Sequence, residues 1–257
     1  MNIVLFAPHQ DDEIISSFYF LNKYADNNIN IVFATNGDYR GDETAKQRYA
    51  ESEHALNLCG LGTKNIHYMG YADTGMRFSH SFLYKLYFSL PDTLISSPYS
   101  KKTYHPASRQ TIHKFFCDNE AIYCRKHFSE DIKLIIKAFK PSLIIMPSLF
   151  DRHGDHMALS LFLREALLTV HHYIDTLSYL IHTDNDSIWP ERYSLEWSRP
   201  DILTESVWNR KISVAGDDNL ICGKKFALSH FHSQFESKES YDFLFSYVKR
   251  SEFFLPY

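Results

Sequence analysis

A short, β-branched apolar run that breaks off into a polar cluster occurs twice in this chain, and that repetition restricts the fold more than any other feature. Ile3-Val4-Leu5-Phe6-Ala7 leads into Pro8-His9-Gln10-Asp11-Asp12-Glu13. Leu143-Ile144-Ile145-Met146 leads into Asp151-Arg152-His153-Gly154-Asp155-His156. Apolar runs of this length read as strands buried on both faces. In open α/β sheets, sites form outside the carboxyl ends of strands. The two clusters, about 140 residues apart in sequence, are therefore expected to meet in space.

The segments between them keep the same rhythm. Strands are expected at 2–7, 29–34, 65–68 and 142–146, and helices from Asp11 to about Tyr24, 44–59, 120–139 and 156–172. Acidic residues at the start of the first helix suit its macrodipole. Three acids beside a histidine are more than capping requires. Further strands are expected near 176–182, 201–207 and 211–214, with closing helices near 217–230 and 238–250. This alternation predicts a three-layer α/β/α, Rossmann-like, mostly parallel sheet. No Pro/Gly/Ser-rich linker divides the chain. It reads as one domain over 1–257, with insertions near 74–118 and 183–200.

The 74–118 region is rich in Ser, Tyr, Phe and His. It reads as a lid that stacks on sugar rings, as a homo-oligomer contact, or as local core. The aromatic tail Tyr241–Tyr257 reads as packing or an interface. His67, His80, His105 and His113 lie in or near loops, where a histidine is more often a satisfied polar group than a ligand.

A net charge of −4 leaves no electrostatic footprint for nucleic acid. The four cysteines form no CxxC and fit reduced thiols in a cytoplasmic protein. Neither a secretory signal nor a run approaching the roughly 20 apolar residues of a membrane span is visible.

The clusters together offer the groups of a hydrolytic metal site. A catalytic zinc commonly has three protein ligands and one open position. His9 and Asp12 are three apart at a strand–helix junction, and His156 at the next such junction supplies a third donor. Asp11 is then free to act as a base, and His153 as an electrophile.

Pro8–Glu13 resembles the PHPDDE signature of the LmbE-like, or PIG-L-like, N-deacetylase superfamily, and Asp151–His156 resembles its D-x-H-P-D-H signature. Other pieces follow in the family's order: Thr35-Asn36-Gly37-Asp38, Arg48 with Glu51, Gly70 to Asp73, and Lys224, Ala227 and Leu228 followed by Ser233-Gln234. Gln10 and Gly154 stand where the family has Pro, and Phe231 stands at a usual His position. The resemblance implies a zinc-dependent enzyme that removes an acyl group, commonly acetyl, from an amino sugar or its conjugate. It implies His9, Asp12 and His156 as metal ligands, Asp11 as general base and acid, and a protonated His153 facing the oxyanion. Asp155 is expected to orient His153. Arg48 and Asp73 are expected to contact sugar hydroxyls, unless Arg48 is only an ion-pair partner. Asp38 is expected to join them in binding substrate, or else to shape the site or end a turn. The alternatives are an amidase acting on a non-sugar or thiol-conjugate amide, and a carbohydrate-binding protein without catalysis.

Overall fold

The computed structural model describes residues 1–256. One mixed sheet holds β1 (Asn2–Ala7), β2 (Asn28–Thr35), β3 (Ile66–Tyr71), β4 (Leu143–Pro147), β5 (Asp175–Tyr179), β6 (Ile212–Ala215) and β7 (Ser251–Pro256). The order across it is β3-β2-β1-β4-β5-β7-β6. The first five strands are parallel, and β7 pairs antiparallel with both β5 and β6. The strand order turns back between β1 and β4, which is the switch point where doubly wound sheets bind ligands. Ile3, Val4 and Leu5 pair with Leu143, Ile144 and Ile145. That register sets the two polar clusters side by side at the carboxyl edge.

The helices are α1 (Asp12–Lys23), α2 (Asp42–Leu58), α3 (Phe82–Tyr87), α4 (Ile112–Cys117), α5 (Arg125–Phe139), α6 (Gly154–Leu167), α7 (Glu205–Trp208), α8 (Asp218–Leu228) and α9 (Lys238–Ser246). Because side chains alternate across a strand, each strand feeds two cores. Ile3, Leu5, Ile29, Ile31 and Phe33 pack with Ile14, Phe18 and Leu21 of α1 and Ala227 and Leu228 of α8. Val4, Phe6, Val32, Ile144 and Met146 pack with Ile132 and Ile135 of α5 and Leu159 and Phe162 of α6. Each such fully buried aliphatic or aromatic side chain contributes roughly 1.5–3 kcal/mol. The sheet thus lies between two helical layers, as the alternation implied.

Three expectations change. Residues 201–207 are not a strand. Thr204 accepts a hydrogen bond from the Val207 N–H and caps the short helix α7. The helix expected to run to residue 172 ends at Leu167. The C-terminal tail turns out of α9 into β7, with Phe253, Phe254 and Leu255 buried. Tyr257, the last residue of that tail, lies outside the described residues. The 74–118 region carries α3 and α4, whose Phe82, Leu83, Leu86 and Ile112 belong to the second core.

Candidate active site

At the end of β1, backbone constraint and buried charge fix the first cluster. Asp11 takes φ 130°, a conformation costly for a residue with a side chain. Its N–H donates to Glu13 Oε2 (2.9 Å), and Glu13 in turn accepts from the Ser52 hydroxyl. The Arg48 guanidinium donates to the Gln10 carbonyl (2.9 Å) and lies 3.4 Å from Asp11 Oδ1. Gln10 donates its amide to the Thr35 carbonyl at 2.7 Å. Gly37 passes so close that a Cβ there would lie 2.4 Å from Gln10 Oε1.

Helix α6 starts directly at the second cluster. His153 is its N-cap, with Nδ1 accepting from the Asp155 N–H. That bond puts the ring proton of a neutral His153 on Nε2. Gly154 donates its N–H to the Met76 carbonyl, and a Cβ on Gly154 would lie 2.4 Å from Ser81 Cβ. The missing side chain of Gly154 is thus what lets residues 76–81 close over the start of α6.

His9 Nδ1, Asp12 Oδ2 and His156 Nε2 form a triangle with edges of 3.4, 3.3 and 3.3 Å. A tetrahedral ion with bonds of about 2.0–2.1 Å needs ligand–ligand edges of about 3.3–3.4 Å, so these three atoms fit a divalent cation. The outward nitrogen of each ring meets a carboxylate. His9 Nε2 lies 3.2 Å from Asp155 Oδ2, and His156 Nδ1 lies 3.1 Å from Asp151 Oδ2. Such pairing fixes ring orientation and raises ligand basicity. Looser groupings, His9 with His153 and His156 and His9 with Asp73 and Asp155, also bring donor atoms within 4.8 Å. Only the tight triangle combines tetrahedral edges with a carboxylate behind each ring.

The buried carboxylates and imidazoles of the site shift one another's pKa. Burial opposes protonation of His9, but Asp73, Asp12 and Asp155 outweigh it and lift its pKa to about 9. His156 is likewise raised by Asp12 and Asp151 against its burial. Burial would raise Asp12, yet His156 and His9 hold it well below the ordinary carboxylate range. Burial lifts Asp11 to about 6 against the pull of Arg48. Burial, with His9, His156, His182 and Arg48 nearby, keeps His153 well below the usual imidazole value. These surroundings work against the protonated ring expected from the resemblance.

A cleft of about 400 Å³ opens over the triangle. Asp11, Arg48, Asp73 and His153 line it, with Tyr39, Met76, Ile181, His182, Asp186, Gln234 and Phe243. Two expected roles are corrected. The Asp155 carboxylate does not reach His153. It is committed to His9, the Ser81 hydroxyl and the Leu83 N–H, and only its backbone touches the His153 ring. Asp38 lies beneath the cleft, accepting from the Asp73 N–H (2.7 Å) and the Tyr104 hydroxyl (2.6 Å), so it shapes the loop and is not exposed to a ligand. None of the aromatic residues of 74–118 lines the cleft among the described residues. Its aromatic walls are Tyr39 and Phe243.

The late motif also finds a place. Glu51 of α2 accepts from the Ser233 N–H and hydroxyl, which brings Gln234 to the cleft, while Phe231 is buried core. Asp151, Ser81, His182 and Asp186 had no assigned role from sequence. Asp151 was visible as the head of its cluster. Ser81 and Asp186 come from segments without periodicity, and His182 ends a segment read only as a strand.

A family model described as GlcNAc-PI de-N-acetylase (PIG-L) matches residues 4–167. Among solved structures, the zinc-inhibited form of teicoplanin deacetylase Orf2 is 16% identical with a TM-score of 0.56, covering 100% of this chain and 97% of that one. The N,N'-diacetylchitobiose deacetylase from Pyrococcus horikoshii is 14% identical with a TM-score of 0.56, covering 99% and 83%. The A40926 pseudoaglycone deacetylase Dbv21 is 14% identical with a TM-score of 0.58, covering 99% and 96%. These likenesses establish a shared α/β fold. No curated protein gives a significant sequence match. No helix among the described residues is long and apolar enough to cross a membrane.

Proposed function

The chain belongs to the GlcNAc-PI de-N-acetylase (PIG-L) family, and from that membership and the geometry of the cleft we propose that it is a metal-dependent hydrolase removing an acyl group, acetyl foremost, from the nitrogen of an amino sugar or amino-sugar conjugate. The observation that carries this is the His9–Asp12–His156 triangle with Asp11 and His153 on the wall of the same cleft. Structures of similar fold include a teicoplanin deacetylase and an N,N'-diacetylchitobiose deacetylase, which favours a sugar-linked amide.

A divalent cation, with zinc the first candidate, supplies acidification of a water and polarisation of the amide carbonyl when bound to this triangle. Asp11 takes the proton of the attacking water. Its pKa near 6 makes the carboxylate a base at neutral pH while leaving the carboxylic acid able to give the proton up again. As the C–N bond breaks, Asp11 returns the proton to the amine nitrogen. His153 donates Nε2–H to the carbonyl oxygen as that oxygen gains negative charge, a donor of the kind worth about 2.7–4 kcal/mol. A neutral ring performs this role with a tautomer fixed by the Asp155 N–H. Asp155 and Asp151 hold His9 and His156 in register. Arg48 and Asp73 present a donor and an acceptor to the sugar.

The test is amine release from N-acetylated amino sugars and their nucleotide conjugates, with metal-free and zinc-loaded protein. Zinc-dependent release supports the reading. Absence of release by protein carrying one zinc per chain overturns the amino-sugar assignment and points to another amide. A chain that takes up no metal is a binding protein.

A further inference from the structure

His182 leaves the end of β5 as part of the cleft wall, and three elements immobilise it. Its backbone N–H donates to Asp151 Oδ2 (3.2 Å), the same oxygen that pairs with His156. Its ring stacks on Phe243 of α9, with centroids 5.3 Å apart and planes 17° from parallel. Its Nδ1 lies 2.7 Å from Asp186 Oδ2, and the other Asp186 oxygen accepts from the Thr183 N–H at 2.7 Å. A carboxylate only accepts, so the proton of a neutral His182 is on Nδ1. Nε2 is then an acceptor. It has no partner among the described residues and is not sealed from the cleft.

That acceptor adds to the carboxylate of Asp73 on the cleft wall a second kind of acceptor, an imidazole nitrogen. Arg48 and His153 Nε2–H are donors. Asp11 is reserved for the water, and Asp73 faces Arg48 and His9 at 3.9 Å each. Asp186 is taken up by His182 and Thr183. A sugar hydroxyl must donate its proton to an acceptor, and His182 Nε2 is an unpartnered one that Asp186 and Phe243 hold in a fixed orientation at the cleft. A phosphate or carboxylate offers nothing for it to accept.

We infer that the His182–Asp186 pair is a specificity element that accepts a hydrogen bond from a hydroxyl of the substrate's sugar ring, beside the reacting amide. The inference rests on the amino-sugar reading above. Rigid positioning of the ring by packing and hydrogen bonds on every other side is what a recognition group requires.

The test uses zinc-loaded full-length protein with N-acetylglucosamine and its 3-, 4- and 6-deoxy analogues, in wild type, His182→Phe and Asp186→Asn. In wild type one deoxy analogue loses about tenfold in kcat/KM, the net value of one hydrogen bond near the upper end of its range. In His182→Phe the parent sugar falls by a similar factor, while that same analogue loses nothing further, and zinc content is unchanged. Asp186→Asn gives an intermediate penalty. Equal penalties for the analogue in wild type and His182→Phe overturn the inference. Nitrogen-15 correlation spectra of the wild-type imidazoles provide a readout independent of variant folding. A single Nδ1–H tautomer for His182, with Nε2 shifting when glucosamine is added, is expected; an Nε2–H tautomer overturns the inference. Wild type that cleaves none of the sugars fails at the amino-sugar reading itself, whereas wild type that cleaves them all equally fails only here.

Discussion

The strained Asp11 and the doubly held imidazoles show how single residues set the chemistry. Asp151 accepts from His156, from the N–H of His153, and from the N–H groups of Ile181 and His182. Replacing it with Asn keeps its shape but removes the charge behind the ligand ring. Asp151→Asn is expected to weaken zinc binding about 10–100-fold, read by competition with a chelator. Unchanged affinity would show that Asp151 supports only the backbone. His156→Ala is expected to abolish stoichiometric zinc, measured by elemental analysis. The ligand and base positions were legible in the sequence because each cluster is contiguous and follows a strand. The partner of Asp155 was not legible. The sequence puts Asp155 two residues from His153, but the helix start turns its carboxylate away, towards Ser81 and His9. His182 and Asp186 were invisible for a related reason: nothing local marks them, and only the packing of β5, α9 and the 183–186 turn brings them to the cleft.

Among the elements, α1 carries the clearest hidden dependence. Glu252 of β7 accepts from the N–H groups of Tyr19 and Phe20 at 3.0 Å each, and Lys224 of α8 donates to the Ile15 carbonyl (2.7 Å) and to Glu252 (2.8 Å). The buried ion pair thus occupies backbone positions that the helix would otherwise close on itself. All of this lies one to two turns from Asp12. Losing one partner of a buried pair costs about 3–5 kcal/mol. Lys224→Met is therefore expected to lower stability by that order, seen as a lower urea midpoint. A change below about 0.5 kcal/mol, the range of an ordinary surface substitution, would contradict the role. The same residues explain why β7 escaped sequence reading. Glu252 interrupts the apolar run of Ser251–Pro256, and its burial makes sense only with Lys224 opposite. The strand expected at 201–207 failed because a Thr204 cap outweighed the β-branched residues around it.

For the whole molecule, the parallel half of the sheet was readable because buried strands and amphipathic helices alternate from the first residue to α2. At the antiparallel edge β6 was readable near 211–214, whereas β7 was not, because its polar start at Ser251 and Glu252 follows directly on a helical segment. Stability should also carry a pH signature remote from the cleft. Burial pushes His67 and His105 down to about 4, and His105 packs between Tyr49 and Tyr68. The unfolded chain protonates these rings near 6.5. Below that value it binds more protons than the folded chain, so stability is complete above about 6.5 and declines as pH falls towards about 4. Each ring contributes a slope of at most about 1.4 kcal/mol per pH unit. Urea midpoints between pH 7.5 and 5 should therefore drop less in His105→Phe than in wild type. Parallel profiles would show that His105 does not contribute.

The most direct measurement pairs zinc content with amine release from an N-acetylated amino sugar for wild type and Asp11→Asn. The expected result is one zinc per chain in both proteins, with turnover in the variant lower by about 10²–10⁴, the usual loss for a positioned acid–base group. An Asp11→Asn protein that holds zinc and turns over at the wild-type rate would contradict the assignment of base and acid to Asp11.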